Sequence, residues 1–282
     1  MNCVYYKSST QMTELADGSI DLIVTSPPYY NIKDYAMDGH QTQRHSASMT
    51  ADLGSYRDFD GYIEALLTVW KECERVLRPN GKLCINVPLM PMIKATLSTH
   101  YTRDIFDIQS SIQHAILHGT GLYLMDLYIW HRTNSSKKLM FGSYPYPRNF
   151  YAQNTTEFIT VYVKDGKPKR VSGEIKEQSK LTQTEWVTFT RQIWDIPIPG
   201  KDDLAFGRHP AIMPEGIPYR CIKLFSCVDD VVLDPFAGSG TTLRVAKQLG
   251  RNYVGYELYE NYGAVIDAKL DSVQRGELLG HQ

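Results

Sequence analysis

An open, mostly parallel α/β sheet is the fold class that this sequence of 282 residues predicts, and three observations carry it. Seven short stretches rich in β-branched and aromatic residues read as strands. Helix-like segments separate most of them, and one strand runs directly into a glycine turn and a helix start. The first two strands are Cys3 to Tyr6 and Ile20 to Thr25. A polar, irregular stretch follows over residues 31 to 56, rich in Gln, Ser, His and Asp, and is expected to be a mobile loop with a use. Phe59, Ile63, Leu66, Leu67, Trp70, Cys73 and Leu77 then recur at helical spacing, and Pro79-Asn80-Gly81 marks a turn. After the strand Leu83 to Val87, Asp104 is suited to cap a helix whose stripe is Ile105, Ile108, Ile112, Ala115 and Ile116. Tyr123 to Trp130 and Glu157 to Val163 are the next strands. Residues 164 to 210 are irregular and read as an insertion outside the sheet. Val231 to Asp234 feeds a helix from about Thr241 to Leu249 that ends at Gly250, and Tyr253 to Glu257 is the last strand.

Composition fits a soluble globular protein of one large or two small domains, with 43% hydrophobic and 22% charged residues. Apolar runs such as Leu122 to Ile129 and Val228 to Phe236 fall short of the roughly 18 residues that a membrane span needs. Met1-Asn2-Cys3 leads into a strand rather than a signal peptide. The five cysteines form no Cys-x-x-Cys pair, so reduced thiols of a cytoplasmic protein are expected and no metal site. Lone histidines such as His40, His45 and His209 read as loop or packing residues. A net charge of −1 argues at first against a nucleic-acid partner. It is a cancellation, however: residues 131 to 170 carry +6 and the remainder −7.

Two motifs carry chemistry. Asp21-Leu-Ile-Val-Thr25-Ser26-Pro27-Pro28-Tyr29-Tyr30 is a strand that runs into a rigid corner. In open α/β sheets ligands sit beyond the carboxyl ends of strands, so the corner should face a site. Two prolines fix their own φ and donate nothing, which leaves the carbonyls of Ser26 and Pro27 as oriented acceptors for an amine, with Tyr29 as a stacking face. A plain surface turn with an exposed aromatic is the competing reading of these residues. The second motif is Val231-Val-Leu-Asp234-Pro235-Phe236-Ala237-Gly238-Ser239-Gly240-Thr241-Thr242. Its glycines allow close backbone approach, and the free N–H groups of the helix start suit a carboxylate or phosphate. A dinucleotide fingerprint wants a third glycine where Leu243 stands, which disfavours a nicotinamide enzyme. Glu257, ending the next strand, is placed to accept the hydroxyls of a ribose. A nucleoside cofactor with a carboxylate, such as S-adenosylmethionine, satisfies both halves.

Thr25-Ser-Pro-Pro-Tyr29 followed much later by Asp234-Pro-Phe-Ala-Gly-Ser-Gly-Thr-Thr242 resembles the amino-methylating DNA methyltransferases, which methylate cytosine N4 or adenine N6. The order, catalytic motif before cofactor motif, resembles the family's beta group and covers nearly the whole chain. Arg75-Val-Leu-Arg78-Pro-Asn-Gly81 and Arg208-His209-Pro210-Ala-Ile-Met-Pro214-Glu215 are similar to further family segments, the latter one that closes over the methionine part of the cofactor. The resemblance implies a Rossmann-like S-adenosylmethionine-dependent methyltransferase fold, with a seven-stranded, mostly parallel sheet and a circularly permuted motif order. It divides the chain into a catalytic half over 1–163, a small target-recognition insertion over 164–207 and a cofactor-binding half over 208–282. One departure is Lys7-Ser8-Ser9, where the family usually places an Asp that holds the cofactor's adenine.

By this resemblance Ser26, Pro27, Pro28 and Tyr29 are the catalytic corner, and Asp234, Pro235, Phe236, Gly238, Ser239, Gly240, Thr241, Glu257, His209 and Pro210 hold the cofactor. The expected partner is double-stranded DNA with the target base flipped out, at a cost of a few kcal/mol that stacking on Tyr29 offsets in part. Asn134, Lys137, Lys138, Arg148, Lys167, Lys169 and Arg170 are the expected DNA contacts, against a reading as a solvated basic face. A homodimer and a cognate restriction endonuclease acting on the same site remain open as further partners, in a bacterial cytoplasm. Ring-carbon methylation is disfavoured, since none of the cysteines follows a proline. Ser in the first place of the corner favours cytosine N4, and adenine N6 is the alternative. The rival functions are a methyltransferase acting on RNA or a protein amide, and a catalytically silent DNA-binding module.

Overall fold

The computed structural model describes residues 1–29, 53, 58–93, 103–135, 145–148 and 152–276, with the backbone alone for 90–93 and 103–106. Ten strands lie among them: β1 Cys3–Tyr5, β2 Ile20–Thr25, β3 Leu77–Pro88, β4 Met90–Ile93, β5 Arg103–Phe106, β6 Leu122–Arg132, β7 Thr156–Lys164, β8 Ile193–Ile196, β9 Val231–Asp234 and β10 Asn252–Tyr256. The helices are α1 Phe59–Val76, α2 Ile108–Gly119, α3 Gly173–Gln178, α4 Gln183–Phe189, α5 Gly216–Phe225, α6 Thr241–Gln248 and α7 Gly263–Asp271. Eight strands form one mixed sheet in the order β1-β10-β9-β2-β3-β7-β6-β8, and β4 pairs with β5 apart from it. All pairings from β1 across to β3 are parallel; β7 runs antiparallel to both its neighbours.

The centre of the sheet is buried on both faces, which is why β2 and β9 read as nearly unbroken apolar runs. Ile20 and Ile23 of β2 pack with α1 and α2, while Leu22 and Val24 pack with α5 and α6 on the other side. Asp58 caps α1 by accepting from the Gly61 N–H at 2.7 Å, and the predicted stripe buries Leu66, Trp70 and Cys73. No helix among the described residues is long and apolar enough to cross a membrane.

All seven predicted strands are present, and three expectations are corrected. The sheet has an eighth strand: β8, from the stretch read as lying outside, joins the edge beside β6, with Trp130 in register with Trp194. Pro79-Asn80-Gly81 does not end the helix region but forms an excursion inside β3, where Leu77 pairs with Ile20 and Lys82 with Leu22. The left-handed φ of 65° at Asn80 is what the turn signal encoded. The cap of α2 is Asp107, not Asp104; its carboxylate accepts from both the N–H and the Oγ of Ser110, whereas Asp104 lies in β5. The expected loop over residues 31–56 lies outside the described residues, apart from Leu53, which is buried.

Candidate active site

One cavity of about 610 Å³ opens at the carboxyl ends of the parallel strands. It is lined by the corner Ser26, Pro27, Pro28 and Tyr29 and by the turn from Asp234 to Gly238 with Ser239 and Thr241. Glu257, His209 and Pro210 complete this wall. Two motifs about 200 residues apart in sequence thus meet, because β2 and β9 are sheet neighbours. The Thr25 hydroxyl donates to Asp234 Oδ1 at 2.6 Å, and the Phe236 N–H donates to the same oxygen at 3.0 Å. Asp234 is buried, and loss of solvent pushes its carboxyl up to about 6 even though those hydrogen bonds favour the ionised form.

Glu257 directly follows β10 and is also buried. The Gly238 N–H donates to its Oε2 at 2.8 Å and the Tyr259 N–H to its Oε1 at 2.9 Å. Burial pushes the carboxyl up to about 7, and the neighbouring Asp234 adds to the rise. Gly238 has φ 52°, and a Cβ there would lie 3.0 Å from His209 Nε2, so the turn and the histidine segment close on one another. The His209 ring sits edge-on to Tyr262 at 4.6 Å, and its Nδ1 accepts from the Ala211 N–H, which makes Nε2 the protonated nitrogen of the neutral ring. Gly240, with φ 81°, precedes α6 and packs against Ile266 of α7. Lys7, Ser8 and Ser9 line the same cavity at the end of β1.

At the corner, Ser26 Oγ donates to Tyr29 Oη at 3.3 Å, and Tyr62 of α1 donates to the Pro28 carbonyl at 3.0 Å. The next strands add a polar wall that the sequence reading did not single out. Thr25 is in register with Ile85, so Asn86 stands one strand over from Ser26. The Asn86 amide donates to Glu157 Oε2 of β7 at 2.8 Å, and Arg132 at the end of β6 has its Nη1 3.6 Å from Glu157 Oε1. A carboxylate can only accept, so Asn86 must turn its amide nitrogen to Glu157 and hold its Oδ1 elsewhere. Asn86 Oδ1 and Arg132 Nε are buried without a hydrogen-bond partner among the described residues. No local motif marks these residues; only the register of β3, β7 and β6 brings them together.

The expected DNA contacts are not gathered here. The side-chain amide of Asn134 holds the backbone of Ile198, its oxygen accepting from the N–H at 2.7 Å and its nitrogen donating to the carbonyl at 3.1 Å. Lys169 pairs with Asp21 at 3.0 Å and with Asp230 at 2.5 Å, at the amino ends of β2 and β9. That is roughly 16 Å along the strand from Ser26, so its ammonium neutralises two carboxylates at the far end of the sheet rather than facing the cavity. Lys167 and Arg170 are exposed in the same stretch, Arg148 is exposed, and Lys137 and Lys138 lie outside the described residues.

The model of the N6/N4 DNA methylase family matches residues 20–267. The chain belongs to that family. It is similar to the Type II methyltransferase M.MjaI of Methanocaldococcus jannaschii, at 28% identity over 96% of this chain and 92% of the relative. M.MthZI of Methanothermobacter thermautotrophicus, also a Type II methyltransferase, is 27% identical over 95% of this chain and 76% of its own. TTHA0409 of Thermus thermophilus, assigned as a DNA modification methylase and solved with S-adenosyl-L-methionine, superposes with a TM-score of 0.76 at 27% identity, covering 98% of this chain and 99% of that one. The cytosine-N4-specific PvuII DNA methyltransferase shares the fold, with a TM-score of 0.66 and 19% identity over 98% and 89% of the two chains. This DNA methylase therefore has the α/β methyltransferase fold and S-adenosylmethionine as its cofactor. The cavity fits such a group: it lies within the roughly 300 to 1,000 Å³ range of ligand pockets, and buried Glu257 beside a glycine turn, where main chain can approach a ligand closely, suits a ribose.

Proposed function

We propose that this methylase is a site-specific enzyme that methylates the exocyclic N4 amine of cytosine in double-stranded DNA, with the target base flipped into the cavity. The observation that carries the reading is the adjacency of the Ser26-Pro27 corner and the Asp234 to Gly240 turn on neighbouring strands of one cavity. Glu257 would hold the cofactor's ribose hydroxyls, with Gly238 and Tyr259 fixing the carboxylate. Asp234, Pro235, Phe236, Ser239, Gly240 and Thr241 would shape the pocket for the rest, under His209 and Pro210. The cofactor supplies a methyl group on an electrophilic sulfonium.

The chain's own part is positioning. An exocyclic amine is a weak nucleophile because its lone pair is delocalised into the ring. Ser26 Oγ and the Pro27 carbonyl would accept its two N–H groups, localise the lone pair and aim it in line at the methyl carbon. Pro28 keeps the corner rigid, and Tyr29 would stack on the base. Asn86, Glu157 and Arg132 line this side of the cavity, and their polar side chains support a ligand with a polar edge there. Ser rather than Asp at position 26 favours cytosine. The Type II relatives support a role as the modification half of a restriction-modification system, with an endonuclease acting on the same site.

The test is to methylate mixed DNA with the purified protein and labelled S-adenosylmethionine, then digest it to nucleosides for mass spectrometry. N4-methylcytosine is expected. N6-methyladenine would move the target to adenine, and label in RNA or protein but not in DNA would overturn the reading.

A further inference from the structure

Lys269 is a buried cation that neither motif accounts for. It comes from α7, its side chain is 2% exposed, and its ammonium meets three acceptors. Thr241 Oγ1 lies at 2.9 Å and Ser239 Oγ at 3.3 Å, both in the glycine turn. Asp203, itself only 11% exposed, accepts through Oδ1 at 3.0 Å and Oδ2 at 3.3 Å. Its three donors are thereby satisfied, the condition under which a buried charge is tolerable. Neither Lys269 nor Asp203 lines the cavity.

The three elements joined at this point are the ones that shape the cofactor end. The segment from Ile198 to Met213, which carries Asp203, is irregular and forms one wall of the cavity through Pro199, Phe206, Gly207 and His209. It is fastened at one end by Asn134 to the backbone of Ile198 and at the other by Arg244 to Glu215. Between these anchors the Asp203–Lys269 pair is the charged tie, and it leads to the very turn that His209 covers at Gly238. α7 also backs that turn directly, since a Cβ on Gly240 would lie 3.3 Å from Ile266 Cα.

We infer that Lys269 and Asp203 are positioning residues for the cofactor, holding the Ser239–Thr241 turn and the 198–213 segment in the spacing that S-adenosylmethionine requires. The inference rests on that cofactor occupying the glycine turn. Removing the ammonium lets turn and segment separate, so cofactor affinity falls while the reacting groups of the Ser26 corner stay in place.

A merely structural ion pair makes a different prediction, and paired variants separate the two. Lys269→Met alone leaves Asp203 buried without its cation and lowers the melting temperature. Combined with Asp203→Leu it leaves no orphan charge, so stability should recover toward wild type. Under this inference calorimetry on the full-length double variant still shows a Kd for S-adenosylmethionine raised about tenfold or more, with kcat at saturating cofactor within about twofold. Recovery of both stability and affinity overturns it. Should the double variant not fold, Asp203→Asn, which keeps the size and one acceptor, is expected to raise Kd about threefold with kcat unchanged, and an unaltered Kd is then the overturning result. Glu257→Ala serves as the control: if it too leaves Kd unchanged, the placement of the cofactor fails, whereas a loss there without a loss at Lys269 and Asp203 defeats this inference alone.

Discussion

Over β9 and β10 the cavity meets each buried carboxylate with backbone N–H groups, whereas over β3, β7 and β6 it leaves an acceptor on Asn86 and a donor on Arg132 unengaged among the described residues. The first end is built by main chain, in a turn whose Gly238 and Gly240 adopt φ 52° and 81°. The second is made of side chains from three strands, tied by the Asn86–Glu157 hydrogen bond and the Glu157–Arg132 ion pair. An unengaged buried polar group costs about 1 to 3 kcal/mol, so the second end carries a standing cost. The difference teaches that the first end is built by backbone geometry that a local stretch of sequence encodes, whereas the second depends on side chains that only strand register brings together.

Changes at the two ends should therefore separate in their kinetics, and the largest effect belongs to the corner between them. Ser26→Ala is expected to lower kcat by about a hundredfold, the cost of losing one aligned hydrogen bond in a transition state, and to leave the Kd for S-adenosylmethionine within about twofold. Equal losses in both would erase the distinction between the ends. Glu257→Ala should act the other way, raising that Kd by roughly 10- to 100-fold through loss of charge-assisted hydrogen bonds, with little change in kcat at saturation. Calorimetry with an unchanged Kd would remove Glu257 from the ribose. Smaller again, Asn86→Ala should reduce single-turnover methylation of duplex DNA by about tenfold without altering cofactor affinity. A cofactor defect in that variant would show that the polar wall belongs to the first end after all.

The same contrast explains what could be read from the sequence. The cofactor end is local: Asp234 to Thr242 is one continuous stretch, and Glu257 directly follows the next strand, so glycine spacing and strand punctuation were enough to find it. The corner was legible for the same reason, since two prolines announce their geometry. Asn86, Arg132 and Glu157 were not, because a single polar residue in an apolar strand carries no periodic signal and their meeting depends on register between β3, β7 and β6. Lys269 was hidden in α7, a helix with little amphipathic pattern, where a lone lysine reads as solvent-facing. The basic run misled in part for a related reason: charge counting along the chain does not know that Lys169 folds back onto Asp21 and Asp230, or that Lys164 donates to the Glu74 and Leu77 carbonyls behind α1. β8 was missed because four residues between irregular stretches are too few to show alternation.

The finest test uses pH, because the cofactor end holds two carboxyls raised by burial. Asp234 at about 6 and Glu257 at about 7 both lie above their unfolded values, so the folded chain binds protons more tightly than the unfolded one. The stability they contribute is fully present below the unfolded carboxylate range and is lost as pH rises through about 6 and then about 7. The cofactor-free protein should thus melt at lower temperature at pH 8 than at pH 5.5, and Glu257→Gln should flatten the upper part of that slope. Ribose binding reverses the sign, since hydroxyls donate best to an ionised Glu257. Affinity for S-adenosylmethionine should climb as pH rises through about 7, by at most about tenfold per pH unit. Ser26→Ala, which lies outside this pair of carboxyls, should leave both trends intact; if it shifts them, the two ends are coupled electrostatically and not merely adjacent.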